Sequence, residues 1–265
     1  MSDPFIKYEG LKLKKESAIK VADSLVVEQA LQININGNPF TVVMQTPGAE
    51  KELVQGLLYN EDILKKETSF NLEFQKNNAD YIELINVICD EKKLGSGFLS
   101  KRSLLSVSSC GICGKQELGD VLPHESAVSF SEKISAEFLH HLQIKMFESQ
   151  LLYKETGGCH GAAVFTLKGD LLAAYEDIGR HNALDKIVGK LLFDKTMNEA
   201  KILSFSGRVS YEIVSKCFRA KIPVIIAVSA PSTLAVDFAK EYGMTLIAFA
   251  RGEQMTCYSN PQRIA

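Results

Sequence analysis

At 265 residues, with 46% hydrophobic and 23% charged side chains, the chain has an ordinary globular composition and enough length for two compact domains. Lys+Arg 30 against Asp+Glu 32 leaves a net charge of -2, which excludes the broad basic field of a non-specific nucleic-acid binder, so any anionic ligand must be held locally. No apolar signal-peptide core follows Met1, and the longest apolar stretch, about Val224 to Val228, is far too short for a bilayer, so we expect a cytoplasmic protein without membrane or nucleic-acid partners.

Residues 1–105 read as a small α+β domain. Runs of β-formers at Leu25 to Ile35 and Pro39 to Gln45 flank Asn36-Gly37-Asn38, and Asn-Gly accepts the positive φ of a tight turn, so the pattern predicts a hairpin. Leu53, Leu57, Leu58 and Ile63 after Pro47-Gly48 predict a short helix, and Tyr81 to Val87 predicts a strand. From Gly95 the periodicity loosens through serines and glycines to Pro123. We expect an interdomain connection there, with residues 106–125 carrying an exposed, mobile loop around Cys110-Gly111-Ile112-Cys113.

Residues 126–265 alternate helix and strand. Ser135 caps a helix with Phe138, Leu139, Leu142 and Met146 at helical spacing. Gly161 to Leu167 and Leu171 to Tyr175 predict a hairpin about Lys168-Gly169-Asp170, followed by a helix from about Asn182. Strand Lys201 to Ser206, helix Ser210 to Ala220, strand Pro223 to Ser229, helix Ser232 to Tyr242 and strand Met244 to Ala250 complete a βαβ series. The apolar run Val224-Ile225-Ile226-Ala227-Val228 implies a strand covered on both faces, so the expected fold class is a three-layer α/β sandwich.

Six cysteines are too sparse for a disulfide framework. Cys89 and Cys217 sit in apolar patterns and read as small buried side chains. The pair Cys110 and Cys113 could hold a metal, cycle as a dithiol or carry sulfur. A zinc ribbon needs a second pair at ligand spacing; only Cys159-His160 could complete such a set in space. A thioredoxin-like dithiol opens a helix after a strand, a frame this stretch lacks. Sulfur carriage, in which a thiolate accepts a sulfane sulfur as a persulfide and its neighbour releases it, matches a tethered loop better than either rival.

Four glycine-bearing turns fall where strands end or helices begin: Thr156-Gly157-Gly158-Cys159-His160, Glu176 to Asn182 with Arg180 and His181, Ser206-Gly207-Arg208, and Phe249-Ala250-Arg251-Gly252-Glu253-Gln254 after the last inferred strand. Glycines let backbone N–H groups approach a phosphate, helix N-termini add partial positive charge, and arginines pair with phosphate oxygens. Their convergence at strand ends predicts a phosphate-bearing ligand. His160 and His181 could act in acid-base chemistry or as hydrogen-bonded structural residues; His124, His140 and His141 show no partner pattern and read as exposed.

Six ordered motifs resemble the formate dehydrogenase accessory sulfurtransferase family: Ser108 to Gly114, Thr156 to Ala163, Glu176 to Lys186, Ser206 to Ser210, Val228 to Ser232 and Phe249 to Gly252. The resemblance implies a cytoplasmic carrier that takes sulfur from a cysteine desulfurase and sulfurates the bis(guanylyl molybdopterin) molybdenum cofactor destined for formate dehydrogenase. It implies Cys110 as the persulfide carrier beside Cys113, cofactor contacts at Phe249 to Gln254, phosphate contacts from its GDP-like moieties at the other turns, no permanent metal, and a homodimer. It also implies a cytidine-deaminase-like sandwich, although the His-x-Glu and Pro-Cys-x-x-Cys of a zinc deaminase are absent, so deaminase chemistry is not expected. Cys159, Gln254 and Cys257 depart from the family pattern. The rival reading is a non-catalytic cofactor-binding chaperone or a zinc-binding module.

Overall fold

The computed structural model describes residues 3–99 and 126–265, so Cys110 and Cys113 lie outside the described residues. The chain begins with an element the sequence patterns did not announce: β1 (Phe5–Lys14) and β2 (Ser17–Val26) pair antiparallel along their full length as a two-stranded ribbon. The expected run from Leu25 to Ile35 is therefore two strands, interrupted at Val27-Glu28. Ile6, Tyr8, Leu11 and Leu13 on the ribbon are exposed.

The Asn36-Gly37 turn joins β3 (Gln29–Ile35) to β4 (Asn38–Gln45) as expected, with φ of 50° and 82° at its two centres. After α1 (Glu50–Asn60) come β5 (Phe70–Lys76), β6 (Ile82–Cys89) and a short α2 (Ser96–Leu99), which starts within the stretch read as loose connection. The sheet order is β4-β3-β6-β5. Leu31, Ile33 and Ile35 alternate inward from β3 and meet Leu53, Val54 and Leu58 of α1 and Ile85 and Val87 of β6, which makes one closed core.

The second unit begins at α3 (Ala136–Ser149), whose Ser135 Oγ accepts from Phe138 N at 3.2 Å, and continues through α4 (Leu151–Thr156). The β7 (His160–Phe165) and β8 (Leu171–Asp177) hairpin leads to α5 (Arg180–Asp194), which starts two residues before the position expected from sequence. Then β9 (Ile202–Phe205), α6 (Tyr211–Arg219), β10 (Val224–Ala227), α7 (Thr233–Glu241) and β11 (Thr245–Arg251) follow in the expected order. A further strand, β12 (Gln254–Ser259), returns antiparallel to β11, so β11 is not the last strand.

The six-stranded order is β12-β11-β10-β9-β7-β8, parallel through β9, β10 and β11 and antiparallel at both margins. Leu203, Phe205, Ile225 and Ala227 on one face pack on α5, α6 and α7, while Ile202, Val224 and Ile226 on the other pack on Leu139, Leu142 and Met146 of α3. Helices thus cover both faces.

The two units are welded through α1 and α5. A Cβ on Gly56 would overlap the Asp185 carbonyl oxygen and one on Gly189 would overlap that of Glu52, so only glycine lets these helix backbones touch. Buried charges fix the register. Lys186 Nζ lies 2.6 Å from Asp177 Oδ2 and donates to Thr46 O at 2.7 Å; Asn182 donates to Met44 O at 2.7 Å; Asn60 donates to Asp185 Oδ1 at 2.6 Å.

Candidate functional site

Three parallel strands deliver their carboxyl ends to one place. Ser206 follows β9, Val228 follows β10, and Ala250 and Arg251 close β11; the antiparallel β7 brings its first residue, His160, to the same edge. Together with Gly157, Gly158, Cys159 and Gly252 these residues line a cleft of about 690 Å³. This is the strand-end crevice in which open α/β sheets bind ligands.

The opposite wall comes from α3 and α4. His140, Ile144 and Phe147 recur at helical spacing along α3 and face the cleft with Gln143, Gln150 and Tyr153. Phe147 meets Tyr153 edge to face, ring centroids 6.5 Å apart. Gln143 Nε2 donates to Ala250 O at 2.5 Å and ties this wall to the end of β11.

Gly157 ends α4 at φ 65°, a left-handed cap that turns the chain into β7. The Glu176 carboxylate then accepts from Leu152 N at 2.8 Å and Tyr153 N at 2.7 Å, and from Cys159 Sγ at 3.3 Å. Burial and the Glu176 charge push the Cys159 thiol far up, so it stays protonated. Gly161 N donates to Ser206 Oγ at 2.9 Å, and that hydroxyl lies 3.4 Å from His160 Nδ1. Burial, then Arg180 and Arg208, hold the pKa of His160 below its ordinary value.

Arg180 is half-buried in the first turn of α5, close to Gly207 of the Ser206-Gly207-Arg208 turn, and its Nε is buried with no hydrogen-bond partner. Arg208 is exposed. Among the described residues neither guanidinium has a carboxylate within ion-pair distance, although Glu212 acts on Arg180 from farther away. The pair is therefore a positive edge beside the cleft, offset in part at Arg180 by Glu212.

Phe249 to Gln254 spans the end of β11, the Gly252-Glu253 turn and the first residue of β12, where Arg251 pairs with Gln254. A register shift there, with Phe249 at φ 51°, buries Ala250 and turns Phe249 outward near Tyr258, 6.4 Å between ring centroids. Arg251 Nε donates to Val228 O at 2.9 Å. Of the expected contacts, Gly157, Gly158, His160, Ser206, Ala250, Arg251 and Gly252 line the cleft; Phe249, Glu253 and Gln254 do not, and Arg180, Gly207 and Arg208 adjoin it. His181 points elsewhere: it is buried, with Nε2 3.1 Å from Glu212 Oε2, and burial, Lys216 and Arg180 depress its pKa to about 3. Among the described residues no three His, Cys, Asp or Glu side chains gather as a metal site.

The FdhD/NarQ family profile matches residues 26–265. The chain belongs to the FdhD/NarQ family. It is 38% identical over 247 residues to the sulfur carrier protein FdhD of Sulfolobus acidocaldarius, covering 91% of each chain, and 38% identical over 267 residues to that of Mycobacterium tuberculosis, covering 95% of each. Its fold resembles a putative formate dehydrogenase accessory protein from Desulfotalea psychrophila, with TM-score 0.77 at 22% identity, covering 99% and 100% of the two chains.

In this FdhD/NarQ chain the motif from Glu176 to Lys186 does two jobs. Asp177, Asn182, Asp185 and Lys186 weld the two units, while Glu176 holds Tyr153 and Cys159 of the cleft lining and Arg180 edges the cleft. The sequence reading missed the α3 wall, including His140, which it took as exposed and without a role. The signal was there: Leu139, Leu142 and Met146 fill one stripe, and His140, Ile144 and Phe147 form a second, part-apolar stripe on the same helix.

Proposed function

We propose that the chain is a sulfur carrier of the FdhD/NarQ type that accepts a persulfide from a cysteine desulfurase and sulfurates the bis(guanylyl molybdopterin) molybdenum cofactor required by formate dehydrogenase. The observation that carries this reading is the cleft. Seven residues taken from three separate motifs of the sequence, Gly157, Gly158, His160, Ser206, Ala250, Arg251 and Gly252, line it beside Arg180 and Arg208, which form no ion pair among the described residues. Arginine and backbone N–H groups suit diphosphate oxygens, and the Phe147 and Tyr153 wall suits a flat heterocycle.

The chemistry falls to Cys110 and Cys113. A persulfide on Cys110 carries sulfur at the sulfane level. Attack by the Cys113 thiolate on the Cys110 sulfur forms a disulfide and expels hydrosulfide, so the two thiols supply the two electrons that convert sulfane sulfur to sulfide. Cys159 has the wrong environment for this task, since its thiol is buried and donates to a carboxylate.

The strand order of the six-stranded sheet and its helices on both faces support reading it as the deaminase-like sandwich, a cofactor-binding domain over 126–265 beside a small domain over 1–105. No described helix is long and apolar enough to cross a membrane. Homodimerisation and a cytoplasmic location belong to the same reading. Guanosine diphosphate binding tests the cleft. Arg251→Ala is expected to weaken it about tenfold or more, as loss of one charge-assisted hydrogen bond implies; equal affinity in the variant would remove the hairpin from the site.

A further inference from the structure

We propose that His160 is a proton-coupled positioning residue of the cleft: it stays neutral while Arg180 and Arg208 are without an anion, and takes up a proton when a phosphate group settles beside them. This rests on reading the cleft as a site for a nucleotide diphosphate. Gly161 N already donates to Ser206 Oγ at 2.9 Å, so the hydroxyl hydrogen is free for His160 Nδ1 at 3.4 Å. With the ring proton on Nε2 the neutral ring accepts that hydrogen, and with it on Nδ1 the ring donates to the same oxygen.

A hydroxyl oxygen has two acceptor positions, so Ser206 can keep the Gly161 bond and also accept from a protonated Nδ1 once its own hydrogen rotates away. Both states of the ring are thus satisfied by the same partner. The proton comes from solvent through the open cleft.

The charged and titratable groups around His160 come from four elements: Arg180 and His181 from α5, Arg208 from the turn after β9, Asp177 from the end of β8, and His140 from α3 in the lining of the same cleft. Asp177 is committed to Lys186 Nζ at 2.6 Å, whereas the arginines have no ion-pair partner among the described residues. Two cations, of which Arg180 is offset in part by the more distant Glu212, repel a third positive charge. A phosphate reverses that field, and an opposite charge within a few ångströms raises a histidine pKa by about one unit or more.

Histidine ring NMR on the full chain tests this, with pH titrations alone, with inorganic pyrophosphate and with guanosine diphosphate, and the His160 signal identified by its loss in His160→Gln. The titration midpoint of His160 is expected to rise by about one pH unit with either ligand. Arg208→Ala, a change at an exposed side chain, is expected to raise it without ligand, which keeps the test independent of how His160→Gln folds. An unmoved midpoint while other signals report ligand binding overturns the proposal and leaves the cleft reading intact. Absence of any ligand-dependent shift in the unaltered chain overturns both.

Discussion

Lys216 is almost wholly buried, 2.7 Å from Asp185 and 3.2 Å from Glu212. Burial opposes its charge, and the two carboxylates more than offset that, so it remains charged. Lys216→Met therefore leaves Asp185 uncompensated and is expected to cost about 3–5 kcal/mol in denaturant unfolding. His181 nearby carries a pH dependence of definite sign. Its folded pKa of about 3 lies below the 6.5 of an unfolded histidine, so the unfolded chain binds more protons between those values and His181 makes folding less favourable as pH falls through them. Relative to the unaltered chain, His181→Asn is expected to be most destabilised near pH 7 and progressively less so toward pH 5; a gap that widens on acidification would contradict the neutral, buried assignment. Neither residue's role could be read from the chain, because their partners lie on other elements and a histidine beside glycine and arginine looks the same in a phosphate turn as in a weld.

The elements with strong local signals were legible. Asn36-Gly37, the Ser135 and Ser232 caps and the apolar run at Val224 fixed a hairpin, two helix starts and a central strand. The ribbon β1–β2 escaped because it is largely exposed and interleaves lysine, glutamate and polar residues without a buried face to impose alternation, while β5 and β12 are short and turn only a few side chains inward, Phe70 and Leu72 onto one core and Met255 and Cys257 onto another. Overlooking β12 placed the Phe249 to Gln254 motif after the sheet instead of in its final hairpin. The α1–α5 contact was invisible as well, since Gly56 and Gly189 are two single glycines within helical patterns that would ordinarily weaken a helix. Their reason is tertiary. Gly56→Ala is expected to force α1 off α5 and cost about 3 kcal/mol in thermal or denaturant unfolding, with β3–β4 pairing retained; a neutral outcome would mean that the two backbones separate freely.

At the scale of the molecule, sequence motifs far apart in the chain meet at one edge of a six-stranded sheet, and the N-terminal unit is held against α5 by hydrogen bonds from Lys186 to Thr46 O, Asn182 to Met44 O and Asn60 to Asp185 Oδ1. The glycines, Ser206 and Arg251 of the cleft were legible because phosphate-suited turns have local signatures; the α3 wall was not, because its side chains have none. In the proposed function this cleft would be the destination of sulfur carried by Cys110, while Cys159 within it is a protonated, carboxylate-bound thiol. The most direct measurement is peptide mass spectrometry of the chain after incubation with a cysteine desulfurase and cysteine. One added sulfur is expected on the peptide containing Cys110, lost in Cys110→Ala and retained in Cys159→Ala. Sulfur found on Cys159, or none on Cys110 with an active desulfurase, would contradict it.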